Sequence, residues 1–220
     1  MKTLAAMLVD RLCGRGVDYG DVRVIRRMTE SLTVRDAAPE SVESAESYGV
    51  GVRVFVDGRW GFAASDDLST DRLERVVEQA ILTARAAAFT GGPREHFEPP
   101  RAVRADWASP CEIDPRCVPL EEKLAMLAGC TQVMQAEKGV RKALATMGSW
   151  EERKVFASTS GSMIAQTTIS CGAGIAAHAI GPRDVQVRSY PSSFRGNFAA
   201  AGYEFIELLA LPENEIGRAS

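Results

Sequence analysis

Gly49-Val50-Gly51-Val52-Arg53-Val54-Phe55-Val56-Asp57-Gly58-Arg59-Trp60-Gly61-Phe62-Ala63-Ala64-Ser65 is the stretch whose reading decides the fold. Two alternating runs flank Asp57-Gly58. An Asp-Gly pair in that setting predicts a two-residue type I′ turn, because both central positions need positive φ. The turn sets the register: Val56 faces Arg59 and Phe55 faces Trp60. Val50, Val52, Val54 and Val56 then share one face of the hairpin, and Phe55, Trp60 and Phe62 the other. Both faces are apolar, so the hairpin is expected inside a covered sheet or against a partner. Gly49, Gly51 and Gly61 weaken a strand, and their usual reason is close approach of a backbone or a ring.

On the N-terminal side, Leu4, Leu8 and Leu12 recur at helical spacing, and Gly14 and Gly16 end the pattern. The period then becomes two. Asp21 to Met28 and Glu30 to Asp36 read as paired strands, with Ser41 to Ser47 as a third, polar one. On the C-terminal side, Ser69-Thr70-Asp71 offers N-cap residues. Leu73, Val76, Val77, Ala80, Ile81 and Ala84 follow as a helical stripe to about Ala88, which Gly91-Gly92-Pro93 ends.

Residues 93–119 hold six prolines and no clear period, and read as an extended linker. Pro119 fits the start of a helix with Glu121 and Glu122 near its positive end. Leu120, Leu124, Leu127 and Met134 form its expected buried stripe, and Gly139 its stop. Alternation returns in Val140 to Ser149, Glu152 to Ser158, Met163 to Cys171, Gly174 to Ile180 and Asp184 to Tyr190. A short helix, Gly202 to Leu211, precedes Pro212. The class is α+β, with antiparallel sheets and flanking helices. Its parts are 1–92, a linker 93–119, and 120–211, with 1–211 forming one composite domain and 212–220 a truncated connection.

The chain has 220 residues, 45% hydrophobic and 25% charged, with net charge −3. A core of ordinary size follows, and a nucleic-acid partner is disfavoured for want of a basic surplus. Arg23, Arg26 and Arg27, flanked by Asp21 and Glu30, read as a solvated strand face. The five cysteines, Cys13, Cys111, Cys117, Cys130 and Cys171, are odd in number and irregularly spaced, which predicts free thiols in a reducing, cytoplasmic compartment. The apolar run Leu4 to Val9 is too short for a signal peptide, and no run approaches a membrane span.

Site chemistry is sparse. His96 lies in the proline-rich stretch and His178 in a strand, and neither has a second histidine and a glutamate at metallopeptidase spacing. Cys171 and His178, seven residues apart on one strand, would point to opposite faces and lie roughly 23 Å apart. They make no nucleophile–base pair unless the strand breaks at Gly172 and Gly174. Gly172-Ala173-Gly174 precedes no helix and lacks the next glycine of a dinucleotide fingerprint. No catalytic, cofactor-binding or metal-binding residue is assigned.

Glu30-Ser31-Leu32-Thr33-Val34-Arg35-Asp36 and the Gly49–Ser65 hairpin closely resemble the N-terminal domain of the TldD/PmbA peptidases, once called modulators of DNA gyrase. Ser149 to Ser158, Gln186 to Pro191 and Ala201 to Phe205 resemble later parts of that domain. The resemblance implies a cytoplasmic, dimeric, two-domain metallopeptidase acting on unfolded or modified peptides. In the TldD type, zinc is held in the C-terminal domain by a His-Glu-x-x-x-His helix and a later cysteine; the PmbA type lacks those ligands. This sequence ends before the region of that motif, so no family catalytic residue transfers to it. The expectation is a split or truncated N-terminal domain that covers the substrate cleft and supports dimerisation. No cofactor is expected in this chain, and zinc is expected in a C-terminal domain. The expected partners are a peptide and a C-terminal peptidase half or second TldD/PmbA-type subunit, with no membrane. The alternative is a stand-alone, non-catalytic binding or regulatory module for a complete family member.

Overall fold

The computed structural model describes residues 1–87, 89, 93–192 and 196–214. Ala88, Gly91 and Gly92, and residues 215–220, on which parts of the reading above fall, lie outside the described residues. The elements are α1 (Lys2–Cys13), β1 (Tyr19–Arg35), β2 (Ala38–Val56), β3 (Arg59–Ser65), α2 (Thr70–Ala87), β4 (Arg104–Ala108), α3 (Leu120–Ala136), β5 (Val140–Ser158), β6 (Met163–Ile180), β7 (Val185–Tyr190), β8 (Asn197–Ala199) and α4 (Glu204–Leu208). Hydrogen-bonded neighbours run β3-β2-β1-β5-β6-β4, and β7 and β8 also pair with β6. The expected α+β class, antiparallel sheet with flanking helices, is found.

Two compact units divide the chain: Met1–Arg27, Glu46–Ala108 and Glu152–Thr167 in the first; Met28–Ala45, Ser109–Glu151 and Thr168–Ser220 in the second. The long strands β1, β2, β5 and β6 contribute residues to both. Each had read as two shorter strands. The apparent breaks fall at polar or glycine-containing stretches, such as Arg26 to Ser31 in β1, where few residues are fully buried. A lost burial pattern is not a lost strand, because backbone pairing continues without it.

In the first unit, α1 and α2 cover one face of the β2–β3 hairpin. Leu8 and Leu12, Val50, Val52 and Val54, and the whole predicted α2 stripe are buried together. The Asp57-Gly58 turn forms with φ of 50° and 76°, and the register is the expected one, Val56 opposite Arg59 and Phe55 opposite Trp60. Gly61 lies under α2: a Cβ there would come within 2.0 Å of the Ala80 carbonyl oxygen. The helix can approach this closely because the strand has no side chain at that point.

Residues 93–108 are not a free linker. Glu95 N–H donates to the Gly58 carbonyl at 3.0 Å, and β4 pairs in parallel with β6, Arg104 opposite Met163 through Ala108 opposite Thr167. All five β4 residues are exposed, so no alternation marks the strand.

In the second unit, Leu32 and Val34, Ala143, Ala145 and Met147, and Cys171, Ala173 and Ile175 form the core with α3 and α4. The predicted α3 stripe needs correction. Leu120 is exposed, and the buried positions are Lys123, Leu127, Cys130, Thr131 and Met134. Lys123, 2% exposed, enters that stripe because its ammonium donates to Glu30 Oε1 at 2.5 Å. A paired charge replaces an expected leucine.

Candidate functional site

The face of the hairpin turned away from α1 and α2 carries a cluster of aromatic and charged side chains. It lies wholly in the first unit. Alternation places Tyr19, Asp21 and Arg23 of β1, Gly51, Arg53 and Phe55 of β2, and Trp60 and Phe62 of β3 on this side. Tyr19, Phe55 and Trp60 cluster with Phe97 from the proline-rich segment, with ring centroids between 4.8 and 6.1 Å apart. Such pairs add about 0.5–1.5 kcal/mol each beyond area burial. Burial, and next the Asp21 charge, push the Tyr19 hydroxyl above its ordinary pKa.

Asp21 is fully buried. Its Oδ2 accepts from Arg53 Nε at 2.9 Å and Nη2 at 2.6 Å, while its Oδ1 lies 3.1 Å from Arg23 Nη1. Arg53 stacks 4.6 Å above the Trp60 ring and Arg23 5.5 Å from the Phe156 ring. Arg23 is therefore part of a built pair and not of a solvated strand face, whereas Arg26 meets Glu46 in an exposed ion pair. The spacing of Asp21 and Arg23 placed them on one face, but the second arginine comes from 32 residues away.

Beside this group lies an open recess of about 800 Å³ whose lining includes Arg23, Tyr48, Gly49, Gly51, Phe62 and Asp66. Phe62 is 56% exposed and lies over Gly51, where a Cβ would stand 3.2 Å from its ring. β3 ends the strand order, so its second backbone edge has no strand partner among the described residues. An extended segment can pair with such an edge through main-chain hydrogen bonds.

His96 is exposed and 3.5 Å from Glu98. His178 lies opposite Val187 in the β6–β7 pair. β6 is unbroken at Gly172 and Gly174, so Cys171 and His178 stay seven residues apart on one strand. All five cysteines are free. Cys171 donates to the Gly202 carbonyl at 2.8 Å, and burial, then Glu204, push its thiol up to about 12. Burial lifts Cys130 to about 11. Among the described residues no three His, Cys, Asp or Glu side chains converge to hold a metal. The described residues offer no ligand set for a zinc ion. Among them, too, no helix is long and apolar enough to cross a membrane.

Residues 20–84, the stretch that builds this face, match the model of PmbA/TldA metallopeptidase domain 1. A metalloprotease of Methanocaldococcus jannaschii is 23% identical over 154 residues, covering 70% of this chain and 34% of that protein. One of Methanothermobacter thermautotrophicus is 26% identical over 153 residues, covering 67% and 31%. Among solved structures, a candidate modulator of DNA gyrase from Thermotoga maritima superposes with a TM-score of 0.74 at 15% identity, over 99% of this chain and 47% of that one. TldE from Thermococcus kodakarensis gives 0.71 at 15% identity, over 97% and 46%. The chain thus spans about a third of the curated relatives' length and just under half of the solved chains. Residues 20–84 are thus similar to domain 1 of the PmbA/TldA metallopeptidases, and the fold is that of the solved chains. The match over residues 20–84 agrees with the hairpin's resemblance to the TldD/PmbA family.

Proposed function

We propose that this chain is the substrate-side domain of a TldD-like zinc metallopeptidase, which receives unfolded or modified peptides and contributes to dimerisation while another domain holds the metal. The observation that carries the reading is the open recess beside the unpaired β3 edge, built from the same residues that match metallopeptidase domain 1. An extended peptide laid along that edge is held by its backbone, which suits acceptance of many sequences. Gly49 and Gly51 present no side chain of their own to the recess.

Co-expression with the zinc-binding C-terminal domain of a TldD-type relative tests this. Co-purification of the two, with release of fragments from unfolded casein that neither gives alone, is the expected result. No association and no hydrolysis would contradict the reading and favour a stand-alone binding module.

A further inference from the structure

We propose that Arg23 and Arg53 form a carboxylate-receiving pair that selects an acidic side chain in an extended peptide lying in the recess. This deepens the peptide-binding reading and rests on it. Both guanidiniums are anchored by one buried carboxylate, Asp21, so the triad carries a net positive charge. Each is also stacked on a ring, Trp60 or Phe156. Yet the two side chains remain 38% and 39% exposed, and a guanidinium has five N–H donors of which Asp21 occupies a minority. The remaining donors are fixed in direction before any ligand arrives. That removes most of the ordering cost of binding, and the guanidinium fork matches a carboxylate.

Position points to the peptide. Arg23 itself lines the recess, and Arg53 lies two residues along β2 from Gly51, on the same face. The rest of the charged lining is negative: Glu46 and Asp66. Glu46 is already paired with Arg26, so a single acidic group is favoured beside Arg23 and repelled by Asp66. Because the recess is open, the peptide continues past Arg23, and the carboxylate is a side chain's and not the chain end.

Fluorescence polarisation with the full chain and labelled ten-residue Ser/Thr/Val peptides tests this. The peptides differ at one central position, Glu, Gln or Lys, and each is made with a free or amidated C-terminus. The Glu peptide is expected to bind about fivefold tighter than the Gln peptide, the scale of a partly exposed ion pair, and the Lys peptide more weakly still. Amidation should leave that order unchanged. Arg23→Gln, which keeps the Asp21–Arg53 contact but removes one partner of that buried carboxylate, should cut the preference to below about twofold in a chain that still melts cooperatively. Equal affinity for Glu and Gln, or a preference that follows the C-terminal carboxylate, overturns the assignment while leaving peptide binding standing. Binding of none of the peptides overturns both. The peptide comparison needs no variant, so misfolding of Arg23→Gln cannot obscure it.

Discussion

Gly61 and Ala80 mark the closest packing of strand on helix in the first unit: a Cβ on Gly61 would lie 2.0 Å from the Ala80 carbonyl oxygen and 2.9 Å from the Ala84 Cβ. Gly61→Ala must push α2 away from β3, since the obstacle is backbone. We expect a loss of about 3 kcal/mol, the upper end of overpacking costs, read as a fall in the denaturant midpoint. Gly51→Ala is the control. Its added Cβ meets the movable Phe62 ring at 3.2 Å, so the loss should be about 1 kcal/mol or less.

Lys123 and Glu30 form a pair in which the lysine is almost wholly buried and the glutamate only partly so. Glu30→Gln strands a buried ammonium and should cost about 3 kcal/mol. Lys123→Met removes the charge along with the need for a partner. The double variant should therefore regain most of the loss, and urea titration of the three proteins measures it. A double variant no more stable than Glu30→Gln would show that the pair holds the fold by more than mutual neutralisation.

Thiol reactivity should sort the cysteines. Cys13 and Cys117 are exposed, whereas Cys130 and Cys171 are buried with thiols lifted to about 11 and about 12. At pH 8 a disulfide reagent should label Cys13 and Cys117 within minutes. Cys130 and Cys171 should react only in denaturant, because the attacking species is the thiolate. Mass spectrometry of the labelled chain gives the answer.

Glu204 ties the segment before α4 to the loop before α3. Burial acts to raise its carboxyl, but N–H groups of Ile113 and Gly202, at 2.9 and 2.7 Å, outweigh it and hold the pKa below the ordinary value. A folded pKa below the unfolded one adds stability that is fully present above the unfolded pKa, about 4.3. It is lost as pH falls through the folded value. Glu204→Gln should cost about 1–2 kcal/mol at pH 7 and should flatten the decline in stability below about pH 4.5.

The hairpin turns show what was legible and why. Asp57-Gly58 announces itself because glycine tolerates positive φ and aspartate follows it there. Asp36-Ala37 adopts positive φ at both residues as well, 52° and 66°, but alanine carries no such signal. That turn is held by tertiary contacts: Ala143 N–H donates to Asp36 Oδ1 at 2.8 Å, and Ala37 N–H to Thr131 Oγ1 at 2.9 Å. With the turn unseen, the pairing of β1 with β2 was not legible, while each strand reads as fragments because its middle buries few side chains. The same holds for the candidate site. The apolar hairpin face was legible from alternation, whereas the burial of Asp21 depends on Arg53, a partner that spacing cannot supply.

Hydrogen exchange of the full chain, with and without a saturating unfolded casein peptide, tests the central claim most directly. The amides of β3, Arg59–Ser65, and of Gly49 to Gly51 should exchange more slowly when the peptide is bound, because it pairs with that edge and fills that recess. Binding that leaves those amides unchanged and protects other strands would contradict the account.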